Sequence, residues 1–136
     1  MVALGGPGSN IIIAVIFTFI ARFIAIPAAA KVDIIINFNN WSNISTVIAG
    51  SMSSIFFELS VIIIFWNVLL AFFNLIPIPP LDGSKLLFAV FPMKIETMAA
   101  LEQFGFFFLL IFIVLFSGPL GIFLNSVLNL FLGLTI

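Results

Sequence analysis

The sequence predicts an all-α membrane protein with three to four transmembrane or re-entrant helices and a Pro-broken Asp-Gly loop. Three observations carry this. Hydrophobic residues make up 64% of the 136 positions and mean hydropathy is +1.44. A chain this short cannot hide that much apolar side chain in a soluble core, because small domains bury the smallest fraction of their surface. Charged residues make up 7%, against about 25% in a soluble domain. The aromatic residues are nineteen Phe, two Trp and no Tyr, a choice that suits lipid better than water.

The first apolar run, 11–26, is a membrane span capped by Ser9 or Asn10 and ended by Pro27, so the span covers about 10–27. Asn10, Ala14, Thr18, Ala21 and Ala25 fall on one helical face, and small residues on one face let backbones approach closely in lipid. Before it, Gly5 to Ser9 reads as a close backbone turn, and Arg22 near the far end snorkels to the interface. The stretch 31–54 is the most polar and predicts an extramembrane loop, with Ile34 to Ile36 in the interface or in a short strand. Its Asn40-Trp41-Ser42 and Asn43-Ile44-Ser45 tripeptides match the glycosylation acceptor pattern, which arises often by chance.

The second span covers about 55–76. Ser60, Asn67 and Asn74 recur every seven residues and share a face, with Glu58 on the opposite one. Pro77, Pro79 and Pro80 forbid helix beyond it. Ser84 to Phe91 predicts a short helix stopped by Pro92, and Lys94 to Gln103 an amphipathic segment on the membrane surface. Further spans follow at about 104–117 and 120–135, broken at Ser117-Gly118-Pro119. This end is either two short spans or one span with a re-entrant helix. Gly121, Asn125, Asn129 and Gly133 predict another close-packing face. Residues 1–136 read as a single membrane domain. Orientation is tied on charge, with Arg22 and Lys31 on one side and Lys85 and Lys94 on the other.

Composition excludes several chemistries. With no Cys there is no disulfide, thiolate zinc site or cysteine nucleophile. With no His there is no Ser-His-Asp triad and no complete His-based metal site within the chain. A net charge of −1 with four scattered basic residues excludes a nucleic-acid surface, which needs clustered positive charge. The remaining partner is the lipid bilayer.

Asp82 is the candidate functional residue. A carboxylate between long apolar runs is expensive and by default functional. The plain alternative is a turn, with Asp82 capping the helix at Ser84. Against that stands the setting: irregular backbone beside a membrane span is tolerated only when buried in protein or lining a polar cavity. Asn67 and Asn74 either serve this site or hydrogen-bond between helices. The Phe-rich runs face lipid or core.

The segment Asn74-Leu75-Ile76-Pro77-Ile78-Pro79-Pro80-Leu81-Asp82-Gly83 closely resembles the second signature of the site-2 protease family, the intramembrane zinc metallopeptidases. Ala3-Leu4-Gly5-Gly6-Pro7-Gly8-Ser9-Asn10 resembles the Ala-Gly-Pro-x-x-Asn opening of another family helix. The order of the two motifs, their separation of roughly 65 residues and the amphipathic segment after the acid are similar to the short prokaryotic branch. The resemblance implies that Asp82 is the third zinc ligand. It implies that Asn74, Pro77, Pro79, Pro80, Gly83, Asn10 and Asn67 support the site or bind substrate. It places the acid-bearing loop near the cytoplasmic face of a prokaryotic cell membrane, and it makes a transmembrane protein the substrate. The family's other two ligands are the His residues of a His-Glu-x-x-His helix whose Glu is the general base. This chain has no His, so no catalytic residue is expected in it. Zinc belongs to the complete family domain and is not expected to be held by this chain alone.

These points predict the C-terminal portion of a larger protease domain, inactive alone, with a His-Glu-x-x-His segment joining it in cis or in trans. The alternatives are a non-catalytic pseudoprotease or a subunit that binds membrane segments. A small transporter or channel, in which a broken helix with an acid marks an ion site, is weakened by the lack of a second intramembrane acid near Asp82.

Overall fold

The computed structural model describes residues 5–38, 51–79, 81–91 and 94–136, with Leu86 and Leu87 described by backbone alone. The described residues form five helices and no strand: α1 (Gly5–Phe23), α2 (Ala28–Asn37), α3 (Met52–Leu75), α4 (Gly83–Val90) and α5 (Ile95–Gly133). Three of them, α1, α3 and α5, are long and apolar enough to cross a membrane. The glycosylation tripeptides, half of the expected polar loop, Pro80 and Pro92 lie outside the described residues.

Four expectations are corrected. First, α1 begins at Gly5, so Gly5 to Ser9 is helix rather than a turn. Pro7 is tolerated because the first backbone N–H groups of a helix have no intrahelical acceptor to lose. The helix ends at Phe23, tightening through Ile24 N–H to the Ala21 carbonyl (3.2 Å) and Ile26 N–H to the Ile24 carbonyl (3.0 Å). Second, Ile34 to Ile36 are helical within α2, not strand. Pro27 opens that helix, its carbonyl accepting from Lys31 N–H at 3.1 Å.

Third, α5 runs unbroken through Ser117-Gly118-Pro119 for 39 residues, joining the expected surface segment and both expected spans. Pro119 removes one backbone bond, but no water in a bilayer core competes for the rest, and nearby hydroxyls can take up freed carbonyls. Ser117 adds a side-chain bond one residue before the freed Leu115 carbonyl, its Oγ donating to the Val114 carbonyl at 3.2 Å. Fourth, the face of Gly121, Asn125, Asn129 and Gly133 is not closely packed. A methyl added at Gly121 or Gly133 meets nothing within 4 Å. The buried residues of this end are instead Leu128, Leu132 and Thr135.

α3 starts at Met52, three residues before the expected span, and has a serine cap. Ser51 Oγ accepts the Ser54 N–H at 3.3 Å, satisfying one of the orphan donors of the first turn. It ends in a tightened turn, Ile76 N–H to the Phe73 carbonyl at 3.1 Å, because a residue before proline is pushed out of helical geometry.

The described residues gather into two compact units. One draws on Met1–Asn10 and Leu69–Ser126, the other on Ile11–Val68 and Val127–Ile136. In the first, the proline loop is the centre. Pro79 is buried, and an added methyl at Gly105 of α5 would overlap the Pro79 carbonyl. A methyl at Gly83 would overlap the Ile76 carbonyl and approach the Leu75 carbonyl to 2.7 Å. The loop thus lies on bare backbone at two places. Long stretches of α5 face outward, with Phe104, Phe106, Phe107, Phe108 and Phe116 all exposed, as lipid-facing aromatics should be.

In the second unit, Ala14, Thr18 and Ala21 of α1 are buried, as their shared face predicts, while Ala25 is exposed. Phe57, Val61 and Ile64 of α3 are wholly buried. Between apolar helices in lipid this contact is stabilised by close packing rather than by exclusion of water. Lys31 is buried there too. Its Nζ donates to the carbonyls of Ala21 (3.1 Å), Arg22 (2.9 Å) and Thr135 (2.9 Å), and lies 5.3 Å from the centre of the Phe57 ring. Burial, with a smaller contribution from the Arg22 guanidinium, pushes the Lys31 ammonium below the ordinary lysine pKa. Arg22 Nη1 donates to the Leu134 carbonyl at 2.9 Å. Two cations therefore cap the C-terminal carbonyls of α1 and α5, where the partial negative charge of a helix collects.

Two outcomes test this description. Gly105→Ala should lower the stability of the detergent-solubilised protein by about 1–3 kcal/mol through overpacking against Pro79, whereas Gly118→Ala, with open space around it, should not. Lys31→Met should cost about 1–3 kcal/mol by leaving carbonyls without a donor. Thermal unfolding in micelles measures both, and equal midpoints for Gly105→Ala and Gly118→Ala would contradict the close seating.

Candidate functional site

The candidate site is built in the first unit by a chain that cannot continue as helix. After Leu75 the backbone makes successive tight turns rather than the extended stretch the prolines suggest. Ile78 N–H bonds to the Ile76 carbonyl (2.8 Å) across Pro77, and Leu81 N–H bonds to the Ile78 carbonyl (3.0 Å). These bonds satisfy backbone groups that would otherwise be orphaned beside a span. α4 then opens: Ser84 N–H and Lys85 N–H donate to the carbonyls of Leu81 and Asp82 at 3.1 Å each, and Ser84 Oγ donates to the Leu81 carbonyl at 2.7 Å.

Asp82 stands at the N-terminal border of α4, as expected, but its side chain does not cap that helix. Among the described residues no backbone N–H of α4 donates to the carboxylate. Oδ1 accepts from Lys85 Nζ at 2.6 Å. Oδ2 lies against α1, where a methyl added at Gly6 would come within 3.0 Å of it. The carboxylate is half-buried between the N-terminal turns of α1 and α4, and both ends carry the partial positive charge that favours an anion. Lys85 is more exposed than Asp82, 59% against 35%, so solvent weakens the pair and a competing cation can displace it.

The structure sorts the other expected site residues. Gly83 permits the loop to press against the end of α3. Pro79 is buried, Pro77 is exposed, and Pro80 lies outside the described residues. Asn10 and Asn74 belong to the same unit and are partly buried; neither is hydrogen-bonded to Asp82 among the described residues. Asn67 belongs to the other unit, and its Nδ2 donates to the Ile63 carbonyl of its own helix at 2.8 Å. This bond back along the helix, common for short polar side chains, replaces the interhelical bond anticipated for it.

Two residues escaped the sequence reading. Gly6 makes room for the Asp82 carboxylate, and Gly105 receives Pro79. A signal existed for both: a glycine cluster at a helix start, and a lone glycine within a run of Phe, each suggest close backbone approach.

The donor set does not fit a zinc ion held by this chain alone. A catalytic zinc takes three protein ligands and a water. No group of three His, Cys, Asp or Glu able to hold a metal occurs among the described residues, and the sequence contains no His or Cys. Asp82 offers one carboxylate with one oxygen on a lysine.

Comparison with known proteins bears directly on this. The family model "Peptidase family M50" matches residues 1–114. A Bacillus subtilis (strain 168) protein named "Putative zinc metalloprotease YwhC" is 30% identical over 122 residues, which cover 89% of this chain and 47% of that protein. The chain thus spans about half the length of that relative. No solved structure gives a significant match. With a family model covering most of its length, and both motif segments inside the match, the chain belongs to peptidase family M50, the site-2 protease family.

Proposed function

We propose that this chain supplies the acid-bearing part of an intramembrane zinc metallopeptidase that hydrolyses peptide bonds of transmembrane proteins in a prokaryotic cell membrane. Asp82 is the one metal ligand it contributes. The two His ligands and the general-base Glu come from a His-Glu-x-x-His segment, in cis or in trans, and the chain by itself is inactive. The observation that carries this reading is the position of the Asp82 carboxylate. It accepts no backbone N–H of α4 among the described residues; one oxygen is on Lys85 and the other lies against Gly6, in the other family motif. A ligand must be aimed by rigid surroundings to be useful, and the Gly83 and Gly105 contacts hold the turn that aims it. Pro77 and Pro79 deprive the loop of backbone donors.

The ion pair with Lys85 favours a second reading, a non-catalytic subunit that binds membrane segments and in which Asp82 with Lys85 only fastens the start of α4. The two readings part on metal. The chain alone should hold no zinc above a sub-stoichiometric background. Co-expressed with a family His-Glu-x-x-His helix, it should yield a complex with about one zinc and cleavage of a transmembrane test substrate. Asp82→Ala should lower zinc affinity about 100-fold and abolish cleavage, while Asp82→Glu keeps part of the metal. Gly6→Ala, which crowds Oδ2, should fall between wild type and Asp82→Ala. Metal analysis giving one zinc in the Asp82→Ala complex would remove Asp82 from the site.

Lys85→Ala adds an independent measurement. If Asp82 is a ligand, freeing its oxygen should leave zinc content intact or raised in the assembled complex. If the pair is a fastening alone, Lys85→Ala should lower the unfolding midpoint with no metal response.

A further inference from the structure

The second unit contains a feature that peptide hydrolysis does not use. Beside α1 and the C-terminal end of α5 lies a groove of about 280 Å³ lined by Val15, Thr18, Phe19, Arg22, Phe131 and Leu134. Its wall is apolar. Phe19 and Leu134 are exposed along it, and Thr18 turns its hydroxyl away, donating to the Ala14 carbonyl at 2.8 Å. Its charged group is the Arg22 guanidinium, in the last turn of α1, at the depth where a span meets the headgroup layer.

The guanidinium is only partly engaged. Nη1 serves the Leu134 carbonyl, and a guanidinium carries five N–H donors in a fork that matches phosphate oxygens. Among the described residues no carboxylate pairs with Arg22 or with Lys31, whose ammonium touches the Arg22 carbonyl at 2.9 Å. The acids of this unit are Asp33 and Glu58. Asp33 is exposed on α2 and accepts from Asn37 Nδ2 at 2.9 Å. Positive charge thus lies on an otherwise apolar groove.

We infer that this groove is a binding site for an anionic phospholipid, with the phosphate on the Arg22 guanidinium and an acyl chain along Val15, Phe19 and Phe131. Charge complementarity identifies the occupant. A soluble phosphate would meet the cation but leave the apolar wall unfilled. A neutral hydrocarbon chain would fill the wall and leave the cation uncompensated. The amphiphile with a negative head satisfies both. The site stands apart from the Asp82 reading and does not depend on it.

The test uses the full chain in micelles, titrated with phosphatidylglycerol, with phosphatidylcholine of the same acyl chains, and with inorganic phosphate, following the thermal unfolding midpoint. Phosphatidylglycerol should raise the midpoint saturably, while phosphatidylcholine and inorganic phosphate should not. Arg22→Lys should weaken the phosphatidylglycerol response about tenfold by losing the fork. Phe131→Trp, which keeps the charge but fills the groove, should weaken it as much. The second variant guards against misfolding of the first. Equal responses to the two lipids, a response to inorganic phosphate of the same size, or an undiminished response in both variants would each overturn the inference. So would a dimer of this chain that forms without lipid and is lost in Phe131→Trp, since a second copy would then occupy the groove.

Discussion

The first unit rests on one constraint: a backbone that stops being helical beside a membrane span must have its polar groups met by protein. Three prolines between Ile76 and Leu81 end α3 and leave a stretch that lipid will not solvate. The chain answers in two ways. It folds the stretch into tight turns that close their own hydrogen bonds, at Ile78 and Leu81. It also seats the stretch directly on helix backbone, where Gly83 and Gly105 have no side chain to interfere. Each solution demands the other, because the turns are compact only if they can be pressed close, and the close approach is tolerable only if no carbonyl is left orphaned.

That constraint produces the chemical feature of the unit. A loop fixed at both ends delivers Asp82 to a defined place, with one carboxylate oxygen beside Gly6 and the other on Lys85. The family to which the chain belongs uses zinc, and among the described residues no group of three His, Cys, Asp or Glu could hold one. The two facts are compatible if the chain is read as a holder of one ligand rather than as a site. In that proposed role the rigid turn would fix the direction of the carboxylate before any metal binds, so little ordering would remain when one does.

Much of this was legible in the sequence, and its limits are physical. The spans at α1 and α3 follow from apolar length, the end of α3 from the prolines, and the border position of Asp82 from the Asp-Gly pair, while the single long helix α5 reads in the sequence as two spans and a surface segment. The buried face of Ala14, Thr18 and Ala21 follows from spacing. What failed was the reading of Gly and Pro as breaks. At Gly5 to Ser9 and at Ser117 to Pro119 the helix continues, because water is what makes an interrupted helix easy to open, and a bilayer offers none. The same residues at Pro77 to Pro80 do break the helix, since three prolines in four positions remove more bonds than the neighbourhood can restore. The site's closest neighbours, Gly6 and Gly105, were hidden for another reason. A contact between residues far apart in sequence leaves no periodic trace, and glycine marks it only by having no side chain.

Asp82, Lys31 and Arg22 are placed by one rule. In the first unit, the carboxylate of Asp82 lies at the N-terminal turns of α1 and α4. In the second, Lys31 and Arg22 lie on the terminal carbonyls of α1 and α5. These three charges sit where helix dipoles favour them, in a protein with nine charged side chains among 136 residues, whereas Lys85, in the first turn of α4, is held by its pair with Asp82 instead. Charge in lipid is costly, and an ionic group that answers a helix end recovers part of that cost. Both ends of α1 are occupied in this way, the acid near Gly6 and the two cations near Phe23, so the polarity of a single helix accounts for three of the nine. A group that answers a helix end and still has unsatisfied capacity is therefore the place to look for function. Asp82 has it in a carboxylate that caps no N–H of its own helix, and Arg22 has it in the edge of the guanidinium that Leu134 does not use.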